Sequence, residues 1–130
     1  IDRVKKIPEL FLVAEDREKG KLAGYLTGLT TDEEVFQDKF FTDADLSTPN
    51  GKNNMLLGLG VLPEYRGQGL ARELMRRYLA REQARGRKRA ILTCVDGKIG
   101  MYERMGFEYI GTSASVLGNA KWNEMGYIFS

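Results

Sequence analysis

The chain has 130 residues, 42% of them hydrophobic and 29% charged, with a formal net charge of +2. That length and balance describe an ordinary globular domain able to bury its own core, and the near-neutral charge argues against a general affinity for nucleic acid. One cysteine, Cys94, excludes an internal disulfide, and the lack of histidine removes the commonest base and metal ligand, so no metal site is expected.

No apolar run approaches the roughly 20 residues that span a bilayer, so no membrane partner is expected, and the lone thiol makes a reducing cytoplasm the default. The chain begins at Ile1 rather than Met, which leaves a preceding natural portion open. Ile1 to Ile7 reads as the end of a helix or linker, cut by Pro8. Leu10 to Ala14 is a buried strand, Glu15 to Gly20 a polar connection, and Lys21 to Leu29 the partner strand of a hairpin. Thr31-x-x-Glu34 is a capping box for a helix carrying Val35, Phe36, Phe40 and Phe41. Thr42 to Asn54 is polar and reads as a surface loop or lid.

Leu56 to Leu62 is an apolar strand that Pro63 should end. Its glycines, Gly58 and Gly60, point to a bulge or to close approach by another backbone or a ligand. Arg66-Gly67-Gln68-Gly69-Leu70-Ala71 then opens a helix expected from about Gly67 to Arg85. Uncovered N–H groups and the positive end of the dipole at such a helix start suit a phosphate or pyrophosphate, with Arg66 adding charge. The spacing matches neither a Walker loop nor a Rossmann fingerprint.

Leu70, Ala71, Leu74, Met75, Tyr78 and Leu79 form the helix's core stripe, with Arg72, Glu73, Arg76, Arg77, Arg81, Glu82 and Arg85 assigned to the other side and Gly86 to the cap. Arg85, Arg87, Lys88 and Arg89 lie in a short connection without interleaved aromatics, unlike a nucleic-acid stacking surface. Ala90 to Val95 is a buried strand, a helical segment runs to Met105 before Gly106, and strands follow at Phe107 to Thr112 and Trp122 to Phe129 around a Ser113 to Ala120 loop. The expected fold is a mixed α/β sheet in one domain, residues 1–130, with the anion-binding turn at the C-terminal end of its central strand.

Arg66-x-x-Gly69-x-Ala71, following Val61-Leu62-Pro63, resembles the acyl-CoA pyrophosphate loop of the GNAT superfamily of N-acetyltransferases. Met101-Tyr102-Glu103-Arg104-Met105-Gly106-Phe107 resembles a second segment of that superfamily, in the expected order. Together with Leu92-Thr93-Cys94 before them and Gly111, Ser113, Ser115, Gly118, Trp122, Glu124 and Met125 after, these residues are similar to the branch of arylalkylamine N-acetyltransferases. The resemblance covers roughly residues 9 to 129 and implies a chain lacking, or truncating, the first strand and helical pair of that fold. It implies splayed central strands, with backbone at Leu59, Gly60 and Val61 holding the pantetheine arm. The amides of Gly67, Gln68, Gly69, Leu70 and Ala71, beside Arg66, would hold the pyrophosphate of acetyl-CoA, the cosubstrate.

Tyr102 matches the tyrosine that protonates the departing thiolate. The implied reaction is direct acetyl transfer to the primary amine of a small-molecule acceptor in a ternary complex, with a homodimer left open. A non-catalytic acyl-CoA-binding module on the same fold is the alternative. The branch's two strand histidines are replaced by Met55 and Leu57, and an Asn after the following strand by Val95, so the general base is missing. Asp32, Glu33, Glu34, Asp96 and Glu124 are the available carboxylates, and acceptor identity rests on the loops Thr42 to Asn54 and Ser113 to Ala120.

Overall fold

The computed structural model describes residues 11–33, 51–113 and 121–129. Strands β1 (Phe11–Asp16), β2 (Lys21–Thr31) and β3 (Asn53–Val61) lead to helix α1 (Leu70–Ala84). Strand β4 (Arg89–Cys94), helix α2 (Ile99–Arg104), β5 (Glu108–Thr112) and β6 (Asn123–Ile128) complete the order. The six strands form one mixed sheet, β1-β2-β3-β4-β6-β5. Every pair is antiparallel except β3 with β4. The expected helix after Thr31 and the expected N-terminal and Ser113 to Ala120 segments fall largely outside the described residues.

Helix α1 lies on one face of the sheet. Leu74, Met75, Tyr78 and Leu79 are buried, and the core joins Met75, Tyr78 and Leu79 to Leu26, Leu56, Leu92, Phe107 and Met125. The stripe read from the helical period is thus the buried face. Pro63, unable to donate to a ladder, follows Leu62 just beyond the end of β3 and opens a short 3₁₀ turn, Pro63–Tyr65.

Several placements depart from the sequence reading. Asn53 and Asn54 belong to β3 and are buried, because the strand extends back from its apolar run to the sheet's interior. Helix α1 begins at Leu70 instead of Gly67: Gly67 and Gly69 sit at φ 79° and 76°, outside helical space. Tyr102 is the fourth residue of α2 rather than near its start, since Asp96–Lys98 forms a separate 3₁₀ turn.

Glu82 departs furthest, being completely buried instead of facing solvent. Its carboxylate accepts from Arg81 Nε at 3.0 Å, Arg85 at 2.9 Å, Arg87 Nε at 3.2 Å and Asn54 Nδ2 at 3.0 Å. Arg87 also donates to Gly51 O at 2.6 Å. Two members of the basic cluster therefore neutralise a buried carboxylate, which satisfies the rule that such a charge must be paired.

Candidate acyl-CoA site

The site starts from a parting of strands. β3 and β4 lie in parallel register at Asn53↔Arg89, Asn54↔Ala90 and Met55↔Ile91. Beyond those pairs β3 continues to Val61 and β4 to Cys94 without bonding to each other. On its other edge β3 stays paired with β2 as far as Gly24↔Val61, with a bulge that makes Leu57 the extra residue between Thr27↔Gly58 and Gly28↔Leu56.

Leu62 N donates to Ala23 O at 2.9 Å. Bonding to one neighbour alternates along an antiparallel strand, so Gly60 also turns its polar groups to β2 while Leu59 and Val61 turn theirs towards the parted β4. Arg66 Nε occupies Val61 O at 3.1 Å. Among the described residues, Leu59 N–H and C=O and Val61 N–H remain as an open strand edge, the arrangement that accepts an extended amide-bearing chain.

At the end of that edge stands the glycine loop. Among the described residues the amides of Gly67 to Arg72 donate to no backbone carbonyl, and Glu73 is the first helical donor, to Gly69 O at 3.0 Å. Nothing lies within 4 Å of where a Cβ would stand on Gly67 or Gly69. The two left-handed residues turn the chain so that successive amides open to solvent at the positive end of α1. The approach to the loop is tied down: Tyr65 donates to Asp16 Oδ2 at 2.5 Å, which lowers the Asp16 pKa and pushes the Tyr65 phenol up to about 12.

Between the parted strands is a cavity of about 210 Å³ lined by Leu56, Leu57, Gly58, Leu59, Leu92, Thr93, Tyr102 and Trp122, with Leu26 and Met75 beneath. Tyr102 reaches it from α2, its ring set edge-on to Phe107 with centroids 6.0 Å apart. Burial, with a smaller effect of Cys94, raises its pKa above the ordinary phenol value, so the hydroxyl is held protonated at neutral pH. The strand glycines serve packing: a Cβ on Gly60 would stand 2.4 Å from Tyr25 Cε1, whose ring lies across Gly60 and Gly58.

The sequence-derived residues thus assemble into one track, from the loop 66–71 along Leu59 and Val61 to Tyr102. Leu57, reached in the sequence only as the position matching a branch histidine, and Leu92 and Thr93, cited there only in the resemblance, line the cavity, because side-chain facing across the parted strands depends on their pairing. Met55 is fully buried opposite Leu29 and Ile91. Of the proposed carboxylates, Asp32 accepts from Lys52 N and Asp96 from Asn123 Nδ2 at 2.7 Å. Glu124 is 8% exposed on β6. Glu34 lies outside the described residues.

Comparison with known proteins agrees with this geometry. The acetyltransferase (GNAT) family model matches residues 2–107. Serotonin N-acetyltransferase of Mesocricetus auratus is 30% identical over 109 residues, covering 83% of this chain and 51% of that protein, so the chain spans about half the length of this relative. The loading GNATL domain of CurA from Lyngbya majuscula superposes with a TM-score of 0.79 at 16% identity, covering 98% of this chain and 80% of that one. The NatC complex bound to Gag peptide and CoA gives 0.76 at 17% identity, covering 99% and 77%. The open central strand, the glycine loop at its end and the length of the family match have one conclusion: this chain belongs to the GNAT acetyltransferase family.

Proposed function

We propose that residues 1–130 form one acetyltransferase domain that takes acetyl-CoA and transfers its acetyl group to the primary amine of a small molecule, by direct attack in a ternary complex. The observation that carries this reading is the parting of β3 from β4 after Met55 and Ile91, which leaves a strand edge, an amide loop and a protonated tyrosine along one track. The pyrophosphate lies on the amides of Gly67 to Ala71, near Arg66. The pantetheine arm adds to Leu59 and Val61 alongside Gly60, and its thioester enters the cavity beside Tyr102.

The chemistry follows from that placement. An amine nitrogen attacks the thioester carbonyl, the C–N bond forms, and the C–S bond breaks as the tetrahedral intermediate collapses. The departing thiolate takes the Tyr102 phenolic proton, and the proton still carried on nitrogen restores the phenol through solvent. A small amine is favoured over a peptide because the serotonin N-acetyltransferase is 30% identical, against 17% for the peptide-bound NatC structure. The cytoplasm remains the compartment of choice for a chain whose only cysteine is free and buried.

A screen of primary amines and short peptides with acetyl-CoA, following released thiol, tests the reading. Acetylation of at least one small amine with stoichiometric thiol release is the expected result. CoA binding without transfer to any amine would instead assign the chain to a non-catalytic acyl-CoA-binding role.

A further inference from the structure

The track described above supplies an acid for the leaving thiolate but no group to take a proton from the incoming amine. An alkylamine with a pKa of about 10.4 arrives at neutral pH as an ammonium and cannot attack until it loses one. Met55 and Leu57, apolar side chains on the central strand, cannot accept it.

The strand register identifies a group that can. On the sheet face opposite α1, Glu124 of β6 pairs directly with Thr93 of β4. Trp122 immediately precedes β6. Thr93 and Trp122 both line the cavity that holds Tyr102. Direct cross-strand neighbours have Cβ atoms about 4.5–5.5 Å apart, which sets the Glu124 side chain against the β4 wall of the cavity. Glu124 also lines a hollow of about 480 Å³ on the same face, walled by Ile91, Ile110 and Ile128. It thus lines that hollow while its cross-strand partner Thr93 lines the cavity, and 8% of its surface is exposed. The other charged groups facing this hollow are Arg89 of β4 and Glu108 of β5.

Resting on the transfer reading above, we infer that Glu124 binds the acceptor as an ammonium and takes its proton, directly or through one water, before attack. The balance closes. R–NH₃⁺ gives one proton to the Glu124 carboxylate, the neutral amine attacks, and Tyr102 protonates the leaving thiolate and recovers its proton from the intermediate. Glu124 then releases its proton to solvent, so each turnover yields amide, free thiol and one proton.

The test compares phenethylamine, cationic at pH 7, with trifluoroethylamine, already neutral there, in the wild-type chain and in Glu124→Gln. With phenethylamine the variant should lose about 10²-fold or more in kcat/KM, the lower end of general base catalysis. It should also lose the acidic limb of the profile and show a rate that climbs with pH as free amine appears. With trifluoroethylamine the loss should shrink to a few-fold, while CoA affinity stays within about twofold of wild type. Equal losses with both amines, or an unchanged kcat/KM with phenethylamine, would overturn the role of Glu124 and leave the transfer reading standing. A wild-type chain that binds CoA and acetylates neither amine would overturn both. Glu124→Asp, which keeps the charge but shortens its reach, supplies the same comparison should the amide variant fail to fold.

Discussion

Asn54 donates its side-chain amide to Glu82 Oε1 at 3.0 Å, joining β3 to the last turn of α1 one residue before the final β3–β4 pair, Met55↔Ile91. Arg87, anchored both to Glu82 and to Gly51 O, closes the same corner from the β4 side. The strands are thus clamped at the vertex from which they part, and the cleft opens only on the far side of that clamp.

Removing the carboxylate should therefore be costly. Glu82→Ala removes the carboxylate paired with Arg87, which is 11% exposed in its side chain, and losing one member of a buried ion pair typically costs about 3–5 kcal/mol. Urea unfolding of this variant should show a large fall in midpoint. Glu73→Ala, which breaks exposed pairs to Arg76 and Arg77, should show a much smaller one. Similar midpoints for the two variants would show that the Glu82 cluster contributes no more than a surface pair.

The same residue marks where the sequence stops being legible. Glu82 is charged and flanked by arginines, so amphipathic reading sends it to solvent, yet its partners at 54 and 87 come from other elements, and no helical period records them. Asn53 and Asn54 mislead likewise: polar residues beside a polar loop are buried because strand pairing continues through them. The elements that form the proposed cofactor track were far more legible. Pro63 has a local steric meaning, the glycines at 67 and 69 have a conformational one, and the apolar stripe of α1 follows a period. Leu92 and Thr93 were not assigned to the cavity because, although the resemblance implied splayed strands, which side chains line the gap follows from the pairing of the whole sheet.

The parted strands and the open loop predict a ligand-dependent stability. Acetyl-CoA bound only to the native state should raise the melting temperature with concentration, by an amount that grows as RT ln(1 + [L]/Kd) and reaches about 2.7 kcal/mol at a hundredfold excess over Kd. A thermal melt series read with calorimetry checks this. A flat series with no heat of binding at millimolar CoA would remove CoA from the site.

The loop itself is tested at Gly69, where φ is 76° and open space surrounds the missing Cβ. Gly69→Asp adds a carboxylate where phosphate charge should rest and strains a left-handed position. CoA affinity should fall at least about tenfold, equivalent to about 1.4 kcal/mol, with the sheet and helices intact by circular dichroism. A folded variant with wild-type affinity would place the pyrophosphate elsewhere.

Tyr102→Phe separates transfer from binding. The phenylalanine keeps the edge-on contact with Phe107 and the lining of the 210 Å³ cavity but has no proton to give the thiolate. CoA affinity should hold while kcat falls by about 10²- to 10⁴-fold, the usual worth of a positioned acid. The pH profile adds a second reading. Burial favours the neutral phenol and raises its pKa, so the active protonated form persists through neutral pH, and the alkaline loss of kcat due to this group should lie above the ordinary value of about 10. In the variant that alkaline limb should vanish, whereas an acidic limb belonging to Glu124 should remain. Full turnover in Tyr102→Phe, measured where chemistry limits the rate, would reduce Tyr102 to a packing residue and leave the leaving thiolate to be protonated by solvent.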